Sequence, residues 1–343
     1  MEHRKFAAAN VAGSRPRMSQ ARDRGVDSGR DAGYFQAVMK STREIIRRAR
    51  ELGVGLPAFN IAHLPMTEPV IRAVRDQDSF ALVEVSRIDW VKFGAKSPAA
   101  VMEEYRKWED PRHVRIHLDH VPVIDEDHEK VDYRAIIEEA LSLGYQSVMI
   151  DASRLSLEEN ISTTREIAEL AHASDIPVEA ELGAVLGHED GPLPPYEELF
   201  KSGRGFTRKE EAARFVRESG CDWLSVAIGN IHGAVGEATK DQKKPEARLS
   251  LSHLEILAGM TGIPLVLHGG SGIKRADMLA SMKKGIAKVN VGTEIRQAYE
   301  QALKEWGSVT AAQDAVYART VSLIKDWFGL NGIRAGILEG NPS

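Results

Sequence analysis

The strongest constraint on the fold is an alternation that begins at Met39 and runs through most of the chain. Short apolar or β-branched runs of strand length recur, interleaved with stretches of helical periodicity. The runs are Gly55–Asn60, Ser79–Ser86, Val114–His120, Ser147–Ser153, Pro177–Gly183, Trp223–Gly229, Pro264–Gly270 and Lys288–Thr293. They read as near-continuous apolar strands, the pattern of a parallel sheet covered by helices. Helices are predicted over Ser41–Leu52, Thr67–Gln77, Tyr133–Leu143, Leu157–Ser174, Arg208–Ser219, Ser252–Thr261, Arg275–Lys284, Glu294–Glu305 and Ala311–Trp327. Thr207 with Glu210 makes a capping-box pattern, and Gly144, Gly220 and Gly262 stand where helices should stop. Eight β–α units with no second pattern predict an α/β fold, a closed (β/α)8 TIM barrel, in preference to an open doubly wound sheet.

Length alone would allow 343 residues to form two domains, but a barrel uses such a length as one. Residues 1–33 are rich in Arg, Gly, Ala and Ser without apolar periodicity and are expected to form a disordered or loosely docked tail. Residues 34–343 are expected to form the barrel with a C-terminal helical extension. One connection, residues 184–206, is unusually long and reads as either a lid hinged on its glycines or a disordered segment. A net charge of −5 argues against a nucleic-acid binder that relies on bulk positive charge. Cys221 is the only cysteine, which excludes an internal disulfide and a thiolate-rich zinc or iron–sulfur site. Any metal would need His, Asp or Glu ligands. No uncharged apolar run approaches the roughly 18 residues of a membrane span.

Barrel enzymes place their chemistry at the C-terminal ends of the strands. Here those ends carry Asn60, Ser86, Asp119, His120, Asp151, Ser153, Glu181, His232, His268 and Asn290. Buried charge is costly unless paired or on a metal, so ionisable groups gathered on one rim point to a site. His120, His232 and His268 each read singly as a hydrogen-bonded rim histidine. Together they match a catalytic zinc arrangement of three imidazoles with a fourth position open. His113, His128, His172 and His253 read as solvated, while His63, His117 and His188 lie near the rim without an assigned role. The run HGGSG, from His268 to Gly272, can turn backbone N–H groups toward an anion. NVGTE, from Asn290 to Glu294, follows at the next strand end, where Thr293 can cap a helix, and barrel phosphate sites favour these two loops. Both runs also read as simple turns. Asp119, beside a candidate ligand, can reach an oxygen of a bound substrate. Glu189 and Asp190 of GHED lie in the long loop as either a closing base or solvated charge. Asp151 and Glu181 suit orientation of the histidines or an alternative metal position.

These motifs resemble the class II, metal-dependent ketose-bisphosphate aldolases, the fructose- and tagatose-bisphosphate aldolases among them. The likeness runs from about Met39 to Glu305 through PAFNIA, HLDH, SVMIDAS, VEAELG, GHED, AIGNIHG, PLVLHGGSG and KVNVGTE. It implies that His120, His232 and His268 bind one catalytic Zn2+, with Asp151 and Glu181 around the metal. It further implies Asp119 as the acid/base at the hydroxyl and Glu189 as the loop residue that moves the carbon-bound proton. Gly233, Gly270, Ser271 and Thr293 would form the phosphate site, with Na+ or K+ near it, and Asn290 would touch a metal-stabilised enediolate. Asn60 and Ser86 complete the expected substrate contacts. The implied reaction is reversible cleavage of a phosphorylated ketose to dihydroxyacetone phosphate, or a related ketone, and an aldehyde. A cytoplasmic homodimer or homotetramer is expected, with neither nucleic acid nor membrane as partner. Two other readings stand beside it: a sugar-phosphate-binding paralogue without activity, and a barrel metallohydrolase that would need a bridging lysine or further histidine. The sequence departs from the family pattern after His232, where Val235 replaces an aromatic residue and a family lysine has only Lys240, Lys243 or Lys244 as counterparts. It also departs at His63 and in the segment around Ser86. Gly292, small as in tagatose-type relatives where fructose-bisphosphate enzymes often carry a larger polar residue, tilts the reading away from a strict glycolytic enzyme and leaves deoxy-sugar or inositol-pathway keto-acid phosphates open.

Overall fold

Eight strands pair side by side, all parallel, in the order in which they occur: β1 (Leu56–Asn60), β2 (Ala81–Ser86), β3 (Val114–Pro122), β4 (Val148–Asp151), β5 (Val178–Leu182), β6 (Trp223–Val226), β7 (Leu265–Leu267) and β8 (Ile286–Val291). The last returns to the first, with Ala58 opposite Asn290, and the sheet closes into a barrel. This is the expected (β/α)8 TIM barrel. The computed structural model describes residues 40–183, 196–230, 247–270 and 272–339. The expected tail at residues 1–33 lies outside the described residues.

One expectation about the strands needs correction. They are not near-continuously apolar; they alternate. Val83, Val85, Ile116, Leu118, Val148, Ile150, Val178 and Ala180 join the apolar core outside the barrel. Their neighbours Glu84, Arg115, His117, Asp119, Glu179 and Glu181, and Lys288 and Asn290 of β8, are buried as well. Side chains two apart share a face of a strand. Lys288 of β8 meets Glu84 of β2 and Glu179 of β5, which belong to strands that do not adjoin β8. Those contacts cross the lumen, so the inward face is polar. Toward the other end the lumen turns apolar: Leu56, Ala58, Leu82, Trp223 and Val266 pack with Ile45, Ile46 and Ala49 of the helix Thr42–Leu52 and with Ile337. The N-terminal mouth is thereby plugged and the chemistry confined to the C-terminal rim.

The helices form largely where periodicity places them. Tyr133–Leu143 matches the expectation, and Gly144, Gly220 and Gly262 end their helices in the left-handed conformation. Among the described residues four helices escaped the pattern, Arg87–Val91, Pro98–Trp108, Tyr196–Ser202 and Arg334–Leu338. The second has a readable signal, Ser97 as N-cap with Pro98 in the first turn. The long connection is not wholly irregular, since Tyr196–Ser202 is helical. The last predicted helix runs over Val309–Ser322 and continues as a π-helical turn, Leu323–Phe328.

The Thr207–Glu210 capping box does not form. The helix begins at Lys209 with no side-chain cap. Thr207 is fully buried and its hydroxyl serves the strand ends instead, donating to the Leu182 carbonyl and accepting from the Ala227 amide. Two buried backbone groups left without partners outweigh one helix cap in a solvated turn. Nor does Thr293 cap its helix, which it begins, with Gly292 as the N-cap. Thr207→Val keeps the shape and removes both hydrogen bonds. It is expected to lower the unfolding free energy by about 1–3 kcal/mol in urea titrations, with helix content unchanged. A loss under ~0.5 kcal/mol would show that the strand ends do not depend on this hydroxyl.

Candidate active site

Consecutive residues of a regular strand point to opposite faces, yet Asp119 and His120 both serve the lumen. The cause lies in the register. Leu118 pairs with Val148 and Val121 with Ile150, so β3 carries one extra residue there. Such a bulge re-aims a side chain. It also places His120 at φ 30°, outside the usual range for a non-glycine residue.

Asp119 is clamped by two amides. Asn60 Nδ2 donates to its Oδ2 at 3.0 Å and Asn290 Nδ2 to its Oδ1 at 2.9 Å. Burial would raise this carboxyl, but His120, Lys288 and His268 beside it hold it at about 2. Asp119 is therefore an ionised base at neutral pH, with an amide donor on each oxygen. Asn60 also approaches Asp89 Oδ2 at 3.5 Å, and the same oxygen accepts from the Ser86 amide at 2.8 Å and the Ser86 hydroxyl at 2.7 Å. Burial pushes the Asp89 carboxyl up to about 6. Sequence reasoning found Ser86 but not Asp89, which orients it.

The two described imidazoles of the expected metal set face each other, with ring centroids 4.4 Å apart. His120 Nδ1 meets Asp151 Oδ2 at 3.1 Å, and His268 Nε2 meets Glu179 Oε1 at 2.8 Å. Their other nitrogens turn toward one oxygen: Glu181 Oε2 lies 4.0 Å from His120 Nε2 and 3.2 Å from His268 Nδ1. Ser153 steadies Asp151, and the Ser225 hydroxyl reaches Glu181 Oε2 at 3.3 Å. Burial disfavours charge on both rings, but Asp119, Asp151 and Glu181 raise His120 well above the ordinary value. At His268, where His120 also opposes charge, Glu179 and Glu181 still raise it to about 9.

The remaining histidines sort by geometry. His63 lies off the cluster, bonded to Glu300 at 3.0 Å and stacked on Tyr299. His117 is fully buried, bonded to Ser147 Oγ at 2.8 Å and 3.5 Å from Glu179. Burial and Lys288 push it down to about 3. His113, expected to be solvated, is buried against the Ser79 carbonyl, because β3 starts inside the wall. His253 is half-buried on the Thr207 carbonyl, whereas His128 and His172 are exposed as expected. Cys221 is buried and its thiol pushed up to about 12, consistent with no ligand role.

At the glycine turns the backbone itself leaves no room. A Cβ on Gly270 would stand 2.8 Å from Val289 Cγ1 and 3.0 Å from the Asn290 carbonyl. Gly269 and Gly272 take φ of 68° and 84°. A Cβ on Gly292 would lie 3.3 Å from Asn60 Oδ1, so this small residue borders the clamp on Asp119. Glu189, His188, Asp190, His232, Gly233, Val235, Lys240, Lys243, Lys244 and Ser271 lie outside the described residues.

The family model described as fructose-bisphosphate aldolase class-II matches residues 40–331. The chain belongs to this family. A probable fructose-bisphosphate aldolase of Bacillus subtilis is 33% identical over 270 residues, 77% of this chain and 85% of that one. A fructose-bisphosphate aldolase of Streptococcus pyogenes is 34% identical over 282 residues, covering 81% and 86%. The structure of the YdjI aldolase from Escherichia coli K12 superposes with a TM-score of 0.67 and 29% identity, over 84% of this chain and 97% of that one. Class II aldolases are metal-dependent carbon–carbon lyases, and the donor set fits a divalent ion. Asp119, His120 and His268 offer ligand atoms within 4.8 Å of one another, as do His120, Asp151 and Glu181. Each imidazole also has a carboxylate on its far nitrogen, the partner that fixes tautomer and ring orientation in metal sites.

The ionised Asp119 contributes stability that is full above its ordinary value of 3.8 and lost as pH falls through about 2. Metal-free protein is expected to lose stability in urea titrations between about pH 4 and pH 2, with a shallower slope in Asp119→Asn. An identical slope in the variant would place that titration elsewhere.

Proposed function

We propose that this chain reversibly cleaves a phosphorylated ketose into dihydroxyacetone phosphate, or a related ketone, and an aldehyde, using one Zn2+ per chain. The observation that carries the reading is the clamped, ionised Asp119 beside two imidazoles that converge on Glu181. His120 and His268 are two of the proposed ligands and His232 the third, with Glu181 and Asp151 as the carboxylates around them. When bound, the cation supplies a Lewis acid that polarises the ketone carbonyl and stabilises the charge left by bond cleavage.

The chain's own groups do the rest. Asp119 takes the proton of the hydroxyl on the carbon that becomes the aldehyde, and the electrons of the breaking C–C bond pass into the ketone half. Asn290, already a donor to Asp119, offers its amide to the oxygen where negative charge grows. Glu189 then delivers a proton to the ketone carbon, and the loop that bears it excludes water. Asn60 and Ser86 hold the substrate oxygens. Gly233, Gly270, Ser271 and Thr293 form the phosphate grip, with Na+ or K+ beside it, and the helix starting at Thr293 turns its N–H groups to the same anion. We further propose a cytoplasmic homodimer or homotetramer; among the described residues no helix is long and apolar enough to cross a membrane.

The metallohydrolase reading calls for a bridging lysine or further histidine. Lys288 and His117 are inside the barrel, but both are fully buried and engaged with Glu84, Glu179 and Ser147. A paralogue without activity would have little use for so complete a clamp on Asp119.

A panel of phosphorylated ketoses with coupled detection of dihydroxyacetone phosphate tests the reaction; release from none of them would overturn it. His120→Ala is expected to lose bound metal and cleavage together, so retained turnover would remove it from the ligand set. Asp119→Ala is expected to keep its metal while cleavage falls by roughly 10²–10⁴-fold. Near wild-type turnover would refute its role. Glu189→Ala is expected to slow exchange of the ketone's carbon-bound proton, and unchanged exchange would assign that step to another group.

A further inference from the structure

One layer beneath the rim lies an ammonium that the reaction does not use directly. Lys288 Nζ is fully buried, 3.1 Å from Glu84 Oε2 and 3.0 Å from Glu179 Oε2, and it donates to Asn290 Oδ1 at 2.7 Å. An ammonium has three N–H donors and no acceptor. One of its N–H groups goes to Asn290 Oδ1, and the two carboxylate oxygens lie at ion-pair distance around the charge.

Two consequences reach the rim. The two ends of an asparagine amide are nearly alike in shape, but only the oxygen can face an ammonium. Lys288 therefore turns the Asn290 NH2 toward Asp119 Oδ1, 2.9 Å away. Without that partner the amide could flip and set its carbonyl oxygen against the carboxylate. The second consequence runs through Glu179. Its Oε2 is held by Lys288 and by Trp223 Nε1 at 2.6 Å, which leaves Oε1 for His268 Nε2 at 2.8 Å. A carboxylate acceptor at Nε2 keeps the proton there when the ring is neutral, and Nδ1, the nitrogen that faces Glu181, then carries the lone pair.

We propose that Lys288 is a positioning residue: a single buried ammonium sets the amide orientation of Asn290 and, through Glu179, the tautomer of His268. The acid/base clamp and a metal-binding imidazole are thereby aligned from one point in the lumen. What Asn290 and His268 then do rests on the aldolase reading; their alignment by Lys288 does not.

The test uses Lys288→Met combined with Glu84→Gln, so that loss of the ammonium does not leave the Glu84 carboxyl buried without its partner. Lys288→Gln serves as a second variant. Three quantities are compared with the wild type at matched far-UV circular dichroism: Zn2+ affinity by chelator competition, the tautomer of metal-free His268 by 15N-histidine NMR at a pH where the ring is neutral, and kcat with KM. The proposal expects Zn2+ affinity to fall by ~10–100-fold. It expects an Nδ1–H tautomer of neutral His268 to emerge in the metal-free variant. It expects kcat to fall more than KM changes, and the Lys288 effect on kcat to shrink to within about twofold when Asn290 is already alanine. Wild-type affinity and tautomer in a folded variant would overturn it, as would an equal kcat loss with and without the Asn290 side chain. If neither variant folds, the wild type still decides, because an Nδ1–H tautomer of neutral, metal-free His268 contradicts the proposal. Should no ketose be cleaved, the aldolase reading fails, while the affinity and tautomer comparisons still judge Lys288.

Discussion

A buried ammonium inside a closed barrel is the constraint on which the rest of the site depends. Burying Lys288 without partners would be prohibitive, and burying Glu84, Glu179 and Asp119 without a cation would be equally so. Each makes the other tolerable. Burial opposes charge on Lys288, yet Glu179, Glu84 and Asp119 raise it above the ordinary value, while Glu179 is held well below its own. Glu84 keeps the weakest hold on its charge, pushed up to about 8 by burial and Asp119 despite Lys288. The cluster is thus asymmetric, with Glu179 and Asp119 ionised and aimed at the rim.

The barrel makes that arrangement possible because closure brings strands that are distant in the sheet within reach across the lumen. β2, β3, β5 and β8 each contribute to the network around Lys288. The apolar plug formed by Trp223, Phe80, Ile45 and Ile337 seals the other end, so the polar layer can open only toward the C-terminal rim. There the bulge in β3 adds what regular strands lack, two neighbouring residues working on the same side. The positive φ of His120 is the local strain that accompanies it.

Much of this was legible in the sequence. The strand runs, their number and the barrel follow from periodicity, and the rim residues follow from position at strand ends. The polar lumen was legible in principle, since VRIHLDH, VEAELG and AKVNV alternate strictly, but the alternation is masked when apolar residues are counted rather than faces compared. Lys288 and Glu179 were missed for that reason. Asp89 was missed because its role depends on a one-turn helix, too short to show a period. The Thr207 capping box misled because a local motif competed with two buried strand-end groups that the linear sequence does not place beside it.

The sequence by itself determined the elements, the side chains at their ends and the membership of the class II aldolase family. Those depend on short-range periodicity and on residue order, both of which a linear chain carries. The tertiary structure alone decided which oxygen of Asp119 meets which amide, which nitrogen of each imidazole is taken, and that one lysine serves both. Such pairings join residues up to 171 positions apart. They are fixed by barrel closure and by the need to give every buried polar group a partner, neither of which acts until the strands have met.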